Sequence, residues 1–216
     1  MSDQNFEAMR MAMVSNQLRT TAVNDPRVIA ALRAVPREAF VPAERKAIAY
    51  VDTLVPLGNG RSMNTPMATG RLLTEAEPVP GDRALVVGAA TGYSAALLAR
   101  LVGHVVALEE DAALLAQARQ AGLAANVEIV EGPLATGWPA GAPYDLILVD
   151  GAIETVPQAL IDQLAEGGRL AAAVIERGVS RLTVGRKAGG AYGAVAFADA
   201  EACSLPGFAK PAVFTF

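Results

Sequence analysis

From residue 84 onward the chain alternates between short apolar blocks and helix-like segments, and this alternation restricts the fold more than any other feature. The blocks, each too short for a helix, are residues 84–87, 105–108, 127–130, 146–149 and 170–175. Continuous apolar strands that are separated by helices are typical of a parallel sheet buried on both faces. The sequence therefore predicts an α/β, Rossmann-like architecture with a mostly parallel sheet and helices on both faces.

The two ends of the chain carry weaker signals. Helical spacing of apolar residues predicts a helix over residues 6–18, and Asn24 or Asp25 followed by Pro26 predicts the start of a second one. Residues 182–186, 194–197 and 212–216 are predicted as the last strands, with a turn at Gly189-Gly190. We expect one domain over residues 1–216, in which 1–80 form a helical and loop region and 81–216 the Rossmann-like core.

Composition excludes several classes of protein. A hydrophobic fraction of 52% with 19% charged residues favours a compact core over disorder, and a net charge of -4 gives no electrostatic reason to expect nucleic-acid binding. A single histidine and a single cysteine argue against Ser-His-Asp hydrolysis and against a metal site rich in these residues. We expect no metal. We see neither a signal peptide nor a membrane span, so we also expect a cytoplasmic protein. The sequence does not reveal its oligomeric state.

A small-residue turn follows the first apolar block. It reads Gly88-Ala89-Ala90-Thr91-Gly92 and leads into a predicted helix. Small residues let the backbone approach a ligand, and amides at a helix start can donate to it. The alternative is a tight turn between strand and helix with no ligand.

Two further positions are predicted to end strands at the edge where ligands of such sheets bind. Glu109 ends the second strand, about twenty residues past the turn, where a carboxylate can accept bonds from both hydroxyls of a ribose, and Glu110 is an adjacent candidate. The alternative for both is capping of the next helix. Asp150 ends the fourth strand, where it could orient a substrate, act as a base or cap a turn.

Residues 60–66, which read Gly-Arg-Ser-Met-Asn-Thr-Pro, form a second informative segment. We predict a loop that lies over the ligand bound at the turn. With the turn, this loop points to a methyltransferase.

Taken together, these segments and several others resemble the protein-L-isoaspartate O-methyltransferase family. The most specific stretch is Val-Pro-Arg-Glu-Ala-Phe-Val-Pro at residues 35–42, and similar stretches lie at residues 49–52, 60–66, 88–93, 137–139, 142–145 and 163–170. The resemblance implies the S-adenosylmethionine-dependent methyltransferase fold with a seven-stranded sheet plus N-terminal helices. It also implies methyl transfer from S-adenosylmethionine to the carboxylate of isoaspartyl residues in damaged proteins, so that protein repair follows.

The resemblance also implies roles for individual residues. Asn64 stands where the family usually has an active-site serine, so it is the catalytic candidate. The substrate would be placed by Arg61, Ser62, Met63 and Asp150. The cofactor would be held by Gly88, Ala89, Ala90, Thr91 and Gly92 at its methionine part, by Glu109 and Glu110 at the ribose, and by Glu131, Gly132, Pro133 and Leu134 at the adenine. A solvated surface position is the alternative for Arg61.

The chain departs from the family pattern at the ligand edge, and these departures leave other hypotheses open. Besides Asn64, they are Val86 for an acidic residue, Ala90 for a glycine, Pro133 for an aspartate and Asp150 for a small or neutral residue. The alternatives are a paralogue that methylates another acceptor and a binding module that kept the fold without turnover.

Overall fold

A seven-stranded sheet forms the centre of the molecule. The computed structural model describes residues 5–210. The sheet strands, in spatial order, are β5 (Val127–Glu131), β4 (His104–Glu109), β3 (Arg83–Val87), β6 (Tyr144–Ile153), β7 (Leu164–Glu176), β8 (Val179–Ala188) and β9 (Ala191–Asp199). The first five are parallel, and β8 and β9 follow as antiparallel hairpins. This confirms the predicted Rossmann-like class and the mostly parallel sheet.

Alternate side chains of the central strands enter two separate apolar cores. On β3, Ala84 and Val86 join one core while Leu85 and Val87 join the other. The same alternation holds on β4 and β6, so both faces of these strands are buried. This is why the blocks are apolar throughout instead of alternating with polar residues.

Within the described residues, six α-helices cover the sheet and build the N-terminal region. They are α1 (Phe6–Met13), α2 (Pro26–Ala34), α3 (Pro66–Ala76), α4 (Tyr93–Leu98), α5 (Ala112–Gln120) and α6 (Gln158–Asp162). Asp25 caps α2 through a bond from the Arg27 amide, with Pro26 in the first turn as predicted. Thr65 caps α3 and Asp111 caps α5 in the same way. Among residues 5–210, none of these helices has the length and apolar character needed to cross a membrane.

Some sequence predictions needed correction. The helix predicted over residues 6–18 changes at Val14 into a π-helical turn that ends at Leu18. The segment predicted as a loop, residues 60–66, includes strand β2 (Arg61–Met63), which pairs with β1 (Val55–Gly58) in a small antiparallel hairpin. Asn59 and Gly60 between them take positive φ values and turn the chain tightly. The predicted strand at residues 212–216 lies outside the described residues.

Candidate functional site

The predicted ligand-edge residues of three strands are brought side by side. Neighbouring β4 and β3 end at Glu109 and Val87, and the turn beginning at Gly88 lies between Glu109 and Asp150. The prediction that Asp150 ends its strand is wrong, because β6 continues to Ile153. The hairpin strand β2 crosses this edge, since the side chain of Arg61 reaches Glu109 and the carbonyl oxygen of Gly88. The two segments singled out in the sequence are therefore in direct contact.

Glu109 is almost completely buried, and protein donors surround its carboxylate. Its Oε1 accepts from Arg61 Nη1 at 2.7 Å and from the amides of Glu110 at 2.9 Å and Asp111 at 3.0 Å. Its Oε2 accepts from Arg61 Nη2 at 3.1 Å and from the amide of Ala90 at 2.7 Å. The side chain is 1% exposed. A carboxylate offers about four lone-pair sites, so these five donors leave none for a further partner.

The surface alternative for Arg61 is wrong. The side chain is 5% exposed and forms a bidentate ion pair with Glu109, and Nη2 also donates to the Gly88 carbonyl at 3.3 Å. Burying a guanidinium is costly unless a paired charge and hydrogen bonds compensate it, and Glu109 supplies both. Arg61 thus points at Glu109, the residue predicted to bind the ribose, instead of at solvent.

The turn after β3 is also engaged within the protein. The amides of Gly88 and Ala89 donate to the Leu108 carbonyl at 3.0 and 2.9 Å, and the amide of Gly92 donates to the Ala89 carbonyl at 2.8 Å. The Thr91 hydroxyl donates to the Phe40 carbonyl at 2.7 Å. The amides of Gly88, Ala89 and Gly92, within the turn predicted to approach a ligand, therefore already have protein acceptors in this conformation.

Asn64 lies between Asp150 and a segment from the far end of the chain. Its Nδ2 donates to Asp150 Oδ1 at 2.8 Å, and its Oδ1 accepts from the amide of Cys203 at 2.9 Å. The residue is buried. An amide can donate and accept at once, whereas serine at this position would reach a shorter distance. Asn64 therefore joins the predicted catalytic loop to both Asp150 and Cys203.

The environment of Asp150 disfavours its charge. Burial of the carboxyl raises its pKa, and hydrogen bonds from Ser94 and Asn64, then the cations Arg37 and Arg61, act in the opposite direction. A raised pKa shifts Asp150 toward the neutral form, which lowers the repulsion that a second carboxylate would meet beside it.

Arg37 binds the backbone of the loop that contains Asn64. Its side chain is fully buried, with Nε donating to the Ala49 carbonyl at 2.6 Å and Nη2 donating to the Asn64 carbonyl. Its guanidinium lies 4.9 Å from the centre of the Tyr93 ring. Burial lowers the pKa of Arg37 and raises that of Tyr93. Arg37 is a positioning residue for the site, and its place in the Pro-Arg-Glu-Ala-Phe stretch was the signal available in the sequence.

The predicted adenine segment lies beyond β5. Leu134 is buried and its amide donates to Glu110 Oε2 at 3.2 Å, so Glu110 orders this segment. Glu131 and Pro133 are exposed, and the amide of Gly132 donates to the Glu109 carbonyl at 3.2 Å. The backbone of this segment is therefore adjacent to Glu109, as its position in the sequence predicted.

Residues 202–208, which we call the cover segment, complete the site and were missed by the sequence reasoning. The Cys203 carbonyl accepts from the Ala152 amide at 2.7 Å, and the Leu205 amide donates to the Ala152 carbonyl at 2.9 Å. Cys203 Sγ accepts from the amide of Ser62 at 3.2 Å. Met63, next to Ser62, is buried in the core. A lone cysteine among small polar residues gave no sequence signal of these contacts.

Comparison with known proteins identifies the family. A sequence profile of the family described as Protein-L-isoaspartate(D-aspartate) O-methyltransferase (PCMT) matches residues 8–201. The chain is 42% identical over 187 residues to a protein-L-isoaspartate O-methyltransferase of Methanoregula boonei, with 85% of this chain and 86% of that protein covered. It is 44% identical over 163 residues to the one of Methylorubrum extorquens, covering 74% and 72%.

Solved structures agree with this fold. One protein-L-isoaspartate O-methyltransferase superposes with a TM-score of 0.80 at 22% identity, covering 94% of this chain and 66% of that one. A Plasmodium falciparum chain, named as a candidate member of the same enzyme class and solved in complex with S-adenosyl-L-homocysteine, gives a TM-score of 0.79 at 20% identity, covering 94% and 99%. With the profile and the relatives, these findings show that the chain belongs to the protein-L-isoaspartate(D-aspartate) O-methyltransferase family.

Proposed function

We propose that this protein methylates the free carboxylate of isoaspartyl residues in damaged proteins, with S-adenosylmethionine as the methyl donor. Family membership over residues 8–201 supports the reaction class. The methyl ester of such a residue collapses to a succinimide, which allows repair. The substrates are therefore proteins or peptides that contain isoaspartyl residues.

One observation carries this proposal further than the fold alone. The loop that holds Asn64 is fixed directly against the end of β3 and against β6, through Arg61 at the Gly88 carbonyl and Asn64 at Asp150. Methyl transfer to a carboxylate asks mainly for alignment and exclusion of water, because the carboxylate is already ionised at neutral pH. The Asn64–Asp150 bond holds the loop over this edge of the sheet and so supplies alignment.

Two residues around the acceptor position, Asn64 and Asp150, decide whether a substrate carboxylate is repelled there. Asn64 is an uncharged donor and acceptor, and Asp150 has a pKa raised by burial. If Asp150 is neutral or directed at Asn64, an incoming carboxylate meets less repulsion. In the second hypothesis Asp150 orients or deprotonates a different acceptor, and the assay below separates the two.

The cofactor does not fit the conformation described above. Its expected ribose ligand, Glu109, has all of its acceptor sites filled by protein donors. The space over Gly88 is taken by the side chains of Arg61 and Leu205. A catalytic step through the bound cofactor therefore requires a different arrangement of these side chains.

A peptide methylation assay tests the proposed function. We would supply methyl-labelled S-adenosylmethionine with an isoaspartyl peptide and, as the matched control, the same peptide with ordinary aspartate. Release of labelled methanol by mild base from the isoaspartyl peptide alone is the expected result. Equal labelling of both peptides, or labelling of neither while the protein binds S-adenosylhomocysteine, would contradict the isoaspartyl substrate and favour another acceptor.

A further inference from the structure

The cover segment continues the hydrogen-bonded end of β6 across the cofactor edge. It pairs in parallel with β6 at Ser204 and Ala152, and the Cys203 carbonyl and Leu205 amide both bond to Ala152. A third link comes from the Asn64 side chain to the Cys203 amide. Backbone bonds of this kind place the next side chain, Leu205, at a defined position.

Leu205 fills the space next to two glycines of the ligand edge. A β-carbon built on Gly88 would lie 3.0 Å from Leu205 Cδ1, and one built on Gly151 would lie 2.5 Å from Leu205 Cγ. Leu205 is 7% exposed and shares an apolar core with Val87, Val149 and Phe208. Glycine allows other atoms to approach the backbone closely at these two positions, and the atoms that do so are those of the Leu205 side chain.

Arg61 fills the adjoining space. Its Nη2 would lie 3.2 Å from a β-carbon on Gly88, and both of its terminal nitrogens bond to Glu109. Two hydrogen bonds join the Arg61 guanidinium to the Glu109 carboxylate, so the pair is broken only by moving one of the partners. Hydroxyl groups of a ribose are neutral donors and compete poorly with charge-assisted bonds to the same carboxylate.

We propose that Leu205 of the cover segment and Arg61 together occupy the cofactor site, so that an S-adenosyl ligand binds only after both side chains have moved out. The inference rests on the proposed function, because it names the event that must precede use of the donor. The measured affinity for the ligand is lowered in proportion to the fraction of molecules in which the site is open.

Two substitutions remove the two side chains from the site one at a time. Leu205→Ala removes the side chain over Gly88 and Gly151, and Arg61→Gln removes the cation from Glu109. Calorimetry with S-adenosylhomocysteine should show binding at least about tenfold tighter for each variant than for the unaltered protein. Arg71→Gln and Val184→Ala are matched controls, since Arg71 pairs with Glu75 on α3 and Val184 lies on β8, and both should bind like the unaltered protein.

A second measurement uses the unaltered protein and does not depend on any variant folding. Cys203 is buried in the cover segment and is the single cysteine of the chain, so its reaction with a thiol reagent reports movement of the segment. Addition of S-adenosylhomocysteine should accelerate this reaction.

The outcomes separate the two proposals. If the unaltered protein binds as tightly as both variants and ligand leaves Cys203 as protected as before, the occupancy inference is overturned while the proposed function stands. If neither the unaltered protein nor either variant binds S-adenosylhomocysteine at millimolar concentration, both proposals fail. Tighter binding by the variants together with faster Cys203 labelling supports the inference, whichever peptide is methylated.

Discussion

The side-chain amide of Asn64 donates to Asp150 at 2.8 Å and accepts from the amide of Cys203 at 2.9 Å, so that one residue connects three distant parts of the chain. Both ends of the amide are used, and the residue is buried. Replacement by a group that lacks either function leaves a buried partner unsatisfied.

The variant Asn64→Asp should therefore be strongly destabilised at neutral pH. It replaces the donor to Asp150 with a second carboxyl group, which removes a hydrogen bond and places another acidic group in a buried position. We expect the free energy of unfolding to fall by roughly 2 to 4 kcal/mol in urea titrations. Asn16→Asp, at an exposed position, is the control and should change it by less than about 0.5 kcal/mol. Equal effects of the two changes would refute the role given to Asn64.

The pH dependence of stability should report Asp150. Its folded pKa is raised by burial, so between the ordinary value near 3.8 and the raised value the native state binds more protons than the unfolded state. Stability contributed at this residue is therefore complete at low pH and is lost as pH rises through that window, with a slope of at most about 1.4 kcal/mol per pH unit. Asp150→Asn should gain stability over the unaltered protein as pH increases. Parallel stability curves from pH 4 to 8 would show that the carboxyl is not so perturbed.

A buried ion pair on the opposite side of the fold offers a separate prediction. Arg169 and Asp82 are both buried, with Nη2 and Oδ2 2.5 Å apart, and Arg169 Nε also donates to the Ala76 carbonyl. Arg169→Met leaves Asp82 buried without its partner and should lower the free energy of unfolding by about 3 to 5 kcal/mol. In thermal or urea unfolding, Arg181→Met should cost less than about 1 kcal/mol, because the ion pairs of Arg181 are exposed. A similar loss for both would contradict the assignment of Arg169 to the core.

Adding one methyl group at Gly151 should detach the cover segment. The new β-carbon of Gly151→Ala would lie 2.5 Å from Leu205 Cγ and 2.6 Å from the Cys203 carbonyl oxygen, which is closer than carbon contacts allow. Overpacking of this kind costs roughly 1 to 3 kcal/mol, so thiol labelling of Cys203 should become about tenfold faster. Gly81→Ala, with open space around its β-carbon, is the control. Unchanged labelling in Gly151→Ala would mean that the segment yields without leaving the site.

Much of the fold could be predicted because burial on both faces forces its strands to be apolar throughout. Blocks such as residues 84–87 and 146–149 carry this pattern, and the cap at Asp25 satisfies a local amide whatever the rest of the chain does. The hairpin at residues 55–63 was missed because its strands, of four and three residues, are too short for a period to be recognised in the sequence.

The arrangement inside the site could be predicted only in part. Glu109 and Asp150 were found because the ends of parallel strands meet at one edge. The pairing of Arg61 with Glu109 was missed, since an arginine in a polar loop is usually solvated and sequence carries no signal of its burial. Leu205 was missed for a related reason, because its partners, Gly88 and Gly151, lie far away along the chain.

The bond from Asn64 to Cys203 also has a consequence for the order of folding. It joins residues that are 139 positions apart, so its formation must bring together two segments with nearly the whole sheet between them. Contacts of such long sequence separation carry a large loop-closure cost and are expected late, after local helices and neighbouring strands have formed. During synthesis, the edge that bears Asn64 and Asp150 would stay open until Cys203 has emerged. In refolding followed by pulsed thiol labelling, protection of Cys203 should accordingly appear after the sheet has formed.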